Sequence, residues 1–298
     1  MFSRRHPYLF FLLAFAAIIA GSSVILSLLN LISKDQSEIG FGQKVGIIEI
    51  NGVIADSKKI LEQIKAFRNN SSVKSIVLRI NSPGGAVGPS QEIYREIRKT
   101  IEEKKIIASL GTIAASGGYY IAAAADGIVA NPGTITGSIG VILGYTNFEE
   151  LFEKIGLNPV VIKSGEYKDI ASPVRKMTES ERALLQEFSD NVHVQFIGHV
   201  ASARKLSFDQ VEEIADGRIF SGEKAKKLEL IDRLGNLEDA IEWAGRLGGI
   251  EGDIITVYPP EEKLPFMKYL VDMSAEQVKE FVSKMSISMI TGGYLYQP

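Results

Sequence analysis

The stretch SIVLRINSPGGAVGPSQEIYREIRKTIEEKKIIASL, residues 75–110, decides the fold. It opens with a β-branched run of strand length, SIVLRI (75–80). A turn-rich NSPGG (81–85) follows, then a helix-like PSQEIYREIRKTIEEKK and a second apolar strand, IIASL. Strand, helix and strand in succession close most readily as a right-handed crossover between parallel neighbours. Working outward, VGIIEI (45–50) reads as a further strand. KKILEQIKAFRNN, between it and SIVLRI, has helical spacing, with Ile60, Leu61, Ile64 and Phe67 on one side. VVIKSGEYKDIASP (160–173) reads as an apolar strand entering a Ser/Gly loop, and residues 176–249 read as mainly helical. The fold class is therefore α/β, with a mostly parallel sheet and flanking helices. There is no internal repeat and no low-complexity tract.

One stretch stands apart chemically. GTIAASGGYYIAAAADG (111–127) is a small-residue strand running into a helix, with a single hydroxyl, Ser116, at the join. Such a serine is ordinarily a helix N-cap. It is also where a nucleophile would find backbone N–H groups for a developing negative charge, and Gly117 would allow close approach. NSPGG ends its strand at the carboxyl edge, where α/β sheets place their sites. Its paired glycines let N–H groups converge on a small anion. The glycine, lysine and Ser/Thr spacing of a phosphate loop is absent, so an oxyanion hole from the Gly85 and Gly117 N–H groups is the more economical use.

A nucleophilic serine needs a base. The three histidines are poorly placed: His6 lies at the extreme N-terminus, and His193 and His199 fall on a helix-like stretch. A lysine held neutral by burial is the alternative. Most lysines here lie in charged, solvated runs, whereas Lys168 lies in the Ser/Gly loop that follows VVIK. An exposed position is the ordinary state of any lysine, and that reading stays open for Lys168.

Composition bounds the rest. The 298 residues, 45% of them hydrophobic, suffice for one large domain or two small ones. A net charge of −3 leaves no basic footprint for nucleic acid. The lack of cysteine removes disulfides and thiol chemistry, and neither a metal-ligand cluster nor a cofactor motif is visible. Arg4, Arg5 and His6 precede an uncharged run from Pro7 to Ser33, longer than the roughly 20 apolar residues that cross a bilayer. Residues 1–33 are expected to be a transmembrane signal-anchor with its N-terminus cytoplasmic, in the cell (inner) membrane, followed by a linker over 34–44 and an extracytoplasmic domain over 45–258. A cleaved signal peptide, cut between the small residues near Ala20 and Ser22, is the rival reading. From PPEEKLP onward, residues 259–298 are expected to form a Met-rich amphipathic tail, with Val278, Phe281, Val282, Met285 and Met289 at helical spacing.

NSPGG, AASGGYYIA, NPGTITGSIGV, SGEYKDIASPVRKMTESER and DGRIFSGEKAKKLELIDRLG, in that order, resemble the signal peptide peptidase A (protease IV) family in its short, single-module form. The resemblance covers residues 45 to 250. It implies a Clp protease/crotonase-like fold and a Ser–Lys dyad. On its motifs Ser116 corresponds to the nucleophile, Lys168 to the general base, Ser138 to a serine that orients the lysine, and Gly85 and Gly117 to the oxyanion donors. It further implies peptide substrates, chiefly cleaved signal peptides, and a membrane-anchored homo-oligomeric ring or dome. Two other classes share the fold: an acyl-CoA enzyme of the crotonase type, which uses the same pair of backbone donors on thioester enolates, and a non-catalytic membrane scaffold.

Overall fold

The computed structural model describes residues 43–260, together with Tyr8, Phe15 and Gly21. Apart from those three residues, the expected anchor over 1–33 lies outside the described residues, as do most of the linker and all but the first residues of the tail. Lys44, placed in the linker by the sequence, belongs to the first strand instead, where it pairs with Val73.

Three long parallel strands form the centre: β1 (Lys44–Asn51), β2 (Val73–Ser82) and β3 (Lys105–Ala115). Helix α1 (Lys58–Asn69) connects the first pair and α2 (Val87–Thr100) the second, as the alternation of patterns requires. Their apolar residues alternate between two cores. Ile48, Ile50, Ile76, Leu78, Ile80, Ile106, Ala108 and Leu110 face one side, and Val45, Ile47, Val77 and Ile107 the other. Because both faces are buried, each strand reads as a continuous hydrophobic run. Ile64 and Phe67 of α1 are buried and Ile60 and Leu61 half-buried against the first core, as their spacing predicts.

Strand β3 carries the topology further. It is long enough to serve two neighbours on one edge. Ile107–Leu110 pair with β4 (Gly127–Ala130), and Ile113–Ala115 pair with β5 (Ile135–Gly137). Between β3 and β4 runs the short helix α3 (Gly117–Ala123), whose alanines pack into the first core. Tyr119 is fully buried there, donating to the Leu230 carbonyl at 2.8 Å, and burial pushes its phenol pKa far up.

After β5 the chain leaves the sheet. From Ile142 to Tyr167 it forms an arm whose one helix, α4 (Glu149–Lys154), buries nothing. VVI (160–162), expected as a strand, is not one: Val160 is 85% and Ile162 96% exposed. The physical reason is pairing. An apolar run becomes a strand when a sheet edge accepts its N–H and C=O groups, and the described residues provide none there. The helical region expected over 176–249 begins with α5 (Glu179–Arg204), opened by a capping box of Thr178 and Glu181. It continues with α6 (Phe208–Glu212), β6 (Ile219–Ser221), α7 (Gly222–Lys227), β7 (Arg233–Leu234) and α8 (Leu237–Leu247). Strand β6 runs antiparallel to β5 at one sheet edge, and β8 (Ile255–Val257) pairs with β1 at the other. Helix α8 covers the second face through Ala240, Ile241 and Ala244.

Gly127 shows how tightly that face is packed. A Cβ there would lie 2.2 Å from the Trp243 ring, which is held from outside by the Arg233 guanidinium 3.8 Å from its centroid. Gly127→Ala should therefore cost about 1–3 kcal/mol of stability through overpacking. Denaturant unfolding with an unchanged m-value would show it, and an unchanged midpoint would contradict it.

Candidate active site

The carboxyl ends of β2, β3 and β5 meet at one edge, and the site is assembled there from backbone geometry. Past β2 the chain turns at Ser82–Pro83–Gly84–Gly85. Gly84 takes φ +104°, and its N–H donates to Ser82 Oγ at 3.1 Å. Ile54 straps this turn from outside: its N–H donates to the Gly84 carbonyl (2.9 Å) and its carbonyl accepts from the Ala86 N–H (2.8 Å). In such a parallel bridge Gly84 C=O and Ala86 N–H face Ile54, so the Gly85 N–H faces the opposite way. Glycine is required at 85, since a Cβ would fall 2.2 Å from the Ile54 carbonyl oxygen.

Ser116 follows the last residue of β3 and has φ 51°, ψ −121°. A residue with a Cβ adopts this region only under restraint, at a cost of order 1–3 kcal/mol. Two backbone bonds hold it: its N–H donates to Gly137 O (2.9 Å) and its carbonyl accepts from Tyr120 N–H (2.8 Å). It stands at the N-cap position of α3, yet its side chain makes no capping bond. The ordinary role of a serine at a strand-to-helix join is therefore not the one it plays.

The two turns touch. A Cβ on Gly84 would lie 2.7 Å from Gly117 N and 3.0 Å from Ser116 Cβ, and one on Gly117 would lie 3.2 Å from Gly85 N. Among the described residues neither the Gly85 nor the Gly117 N–H donates to a protein acceptor. Two open donors thus sit beside an uncapped hydroxyl, an arrangement able to receive the oxyanion that forms when such a hydroxyl attacks a carbonyl. Ser138 joins the group by register. Ala115 pairs with Gly137, so the next residues of the two strands, Ser116 and Ser138, emerge side by side. Ser138 also has a positive φ, 50°, held by its N–H on the Arg218 carbonyl (2.8 Å).

Lys168 is not seated against these residues within the chain. It lies in an exposed turn beyond the arm. The ion pairs of that turn engage Lys163, Asp169, Arg175 and Glu181 and leave Lys168 out. The burial that the sequence reading called upon to keep this lysine neutral is not supplied by the described residues. His199, half-buried, stacks on Tyr94 and bonds the Tyr120 hydroxyl through Nδ1, a packing role. Burial lowers its pKa, with a smaller contribution from Arg95. Among the described residues no group of three or more His, Asp or Glu side chains converges to hold a metal ion.

Sequence reasoning overlooked Gly84, whose φ shapes the turn, and Ser90. The Ser90 hydroxyl donates to the Ala86 carbonyl (2.9 Å) and would lie 2.7 Å from a Cβ on Gly117. The doubled glycine was the only available signal for the first. The second has none, because Ser90 reaches Gly117 only through tertiary packing.

Comparison with known proteins bears on this geometry. The model of peptidase family S49 matches residues 98–251, and that of the Clp protease family matches residues 41–132. A protein of Synechocystis sp., provisionally named as a protease, is 44% identical over 230 residues, covering 76% of this chain and 83% of that one. A protein of Enterococcus faecium, provisionally named signal peptide peptidase SppA, is 37% identical over 228 residues, covering 72% and 66%. The chloroplastic serine protease SPPA of Arabidopsis thaliana is 35% identical over 206 residues, 69% of this chain and 30% of its own length.

Gly85→Ala tests the turn. Its Cβ would break the Ile54 strap and turn the Gly85 N–H away, so peptide hydrolysis should fall by about 10²–10³, the usual cost of one lost oxyanion donor. Steady-state assay of the purified variant checks this, and wild-type turnover would show that the Gly85 N–H has no part in the reaction.

Proposed function

This chain belongs to peptidase family S49, and from that membership we propose that it is a membrane-anchored serine endopeptidase with a Ser116–Lys168 dyad. One observation carries the reading: Ser116 is forced into a backbone conformation that leaves its hydroxyl uncapped beside the open N–H groups of Gly85 and Gly117. A structural serine would have no use for that restraint.

In the proposed reaction the neutral Lys168 amine takes the Ser116 proton while Oγ bonds to the substrate carbonyl carbon. The carbonyl oxygen becomes an oxyanion held by the Gly85 and Gly117 N–H groups. The tetrahedral species collapses, the C–N bond breaks, and the Lys168 ammonium protonates the departing amine. Water, deprotonated by Lys168, then releases the acyl group and restores both residues. Ser138, beside Ser116, orients the lysine by a hydrogen bond. The substrates we assign are cleaved signal peptides and similar apolar peptides. Three things favour them: the alanine-lined surroundings of Ser116, the name borne by the Enterococcus relative, and the expected anchor with its cytoplasmic Arg4 and Arg5.

The active form we propose is a homo-oligomer in which Lys168 completes a neighbouring subunit's site. Its support is the arm. Ile142, Val160 and Ile162 are 73%, 85% and 96% exposed, and Leu143, Phe148, Leu151 and Val161 add to an apolar surface that a free monomer seldom presents. The arm leads directly to Lys168. A second copy covering it would supply both the missing pairing for VVI and the dry surroundings that a basic lysine needs.

Two measurements test this. Ser116→Ala should fold and assemble normally but lose on the order of 10⁶ in kcat, and a fluorophosphonate probe should acylate Ser116 in the unmodified enzyme. Retained turnover in the variant, or labelling elsewhere, would refute the nucleophile. Co-expressed Ser116→Ala and Lys168→Ala chains should regain activity in mixed oligomers, since roughly a quarter of randomly formed interfaces join an intact serine to an intact lysine. No recovery in verified mixed oligomers would place the dyad within one subunit.

A further inference from the structure

We infer that Arg175 is a positioning residue for Lys168: it clamps the turn carrying that lysine to the start of α5 and, with Lys163, neutralises the carboxylate next to it. The inference rests on the role proposed above for Lys168.

The geometry is a closed quartet. Arg175 presents Nε to Asp169 Oδ2 (2.8 Å) and Nη2 to Asp169 Oδ1 (2.9 Å) and to the Asp169 carbonyl (3.1 Å). The same guanidinium gives Nη1 to Glu181 Oε2 (2.8 Å), and its Nη2 also reaches Glu181 Oε1. Lys163 Nζ donates to Asp169 Oδ1 (2.6 Å) and to the Glu166 carbonyl (2.7 Å), closing the turn from its other end. Glu181 is itself fixed, since its carboxylate accepts the Thr178 N–H (2.9 Å) in the capping box of α5. A continuous set of bonds thus runs from the residue beside Lys168 into the first turn of the longest described helix.

Two features separate this from an ordinary surface ion pair, which contributes little. The first is directional. A planar guanidinium bonded in two directions at once fixes relative orientation as well as distance, and a lysine cannot substitute for it. Asp169 and Glu181 side chains are also largely shielded, at 13% and 4% exposed. The second is electrostatic. Two cations face two carboxylates, so the quartet is neutral as a whole. Arg175, then Lys163, hold the Asp169 carboxyl well below the usual carboxylate range, and Arg175 brings Glu181 to about 2. Both oxygens of Asp169 already accept from a cation, so its charge is compensated before the adjacent Lys168 could pair with it. An open carboxylate there would favour the ammonium form, which cannot act as a base. Because every bond of the clamp lies within one chain, the turn that carries the lysine is set in place before any neighbour arrives.

The test measures kcat and KM separately for full-length enzyme on a fluorogenic peptide, in Arg175→Lys, Arg175→Gln, Asp169→Asn and the Asp169→Asn/Arg175→Gln double variant. Lys168→Ala and thermal unfolding are run alongside. Each single variant should lose roughly 10²-fold in kcat, as expected for a catalytic group displaced by about an ångström, with KM and melting temperature unchanged. Arg175→Lys should not rescue, and the double variant should be no worse than the poorer single one. Wild-type kcat in the single variants, multiplying losses, or losses seen only in KM or melting temperature would overturn the clamp. If the Arg175 variants fold poorly, the near-isosteric Asp169→Asn decides alone. An active Lys168→Ala would instead overturn the dyad and this inference with it, whereas an inactive Lys168→Ala beside fully active clamp variants removes the clamp only.

Discussion

The backbone of Ser116 is the constraint on which the site depends. A residue bearing a Cβ is held at φ 51° because a strand grips it on one side and a helix on the other. Its N–H is taken by Gly137, the last residue of β5, and its carbonyl by Tyr120 in α3. The first grip does not exist without the rest of the sheet. β5 reaches Ser116 only because β3 is long enough to hand its first half to β4 and its second half to β5. The buried alanines and tyrosines of α3 then anchor the helical side in the main core. Core packing thus stabilises a local conformation that the isolated segment would avoid.

The second turn is built to fit the first. Gly84 and Gly85 have no side chains because the Ser116–Gly117 turn and the Ile54 strap occupy the space where a Cβ would stand. Close approach of two backbones is what brings open N–H groups to one point, and it explains why Gly85 and Gly117, 32 residues apart, can both contribute. Ser90 fills the remaining gap against Gly117. The site is rigid for the same reason that it is cramped.

The arm and the turn after it follow different rules. Much of the arm's apolar surface is turned outward, and its short helix buries nothing. Order in the Lys168 turn comes from the Lys163–Asp169–Arg175–Glu181 quartet and the α5 capping box, which need no core. A segment stabilised by its own polar bonds can keep its apolar side chains free for another surface. That division accounts for a serine held inside the sheet edge and a lysine displayed outside it.

Much of the architecture was legible in the sequence. Continuous apolar runs of strand length, with a helix between each pair, leave a parallel sheet as the economical solution, and β1, α1, β2, α2 and β3 stand where the pattern puts them. The types of residue at the site, a lone serine and two glycine pairs at strand ends, were also readable, because they depend on local backbone needs. Tertiary structure alone decided the rest. VVI has every intrinsic mark of a strand, yet pairing is a property of two segments and this one has no partner among the described residues. The uncapped state of Ser116, the meeting of Gly84 with Gly117, and the register that brings Ser138 beside Ser116 all arise between segments remote in sequence. Lys168 marks the boundary most clearly: its residue type and loop were visible in the chain, but whether a lysine is buried or exposed depends on what packs around it, and no local pattern encodes that.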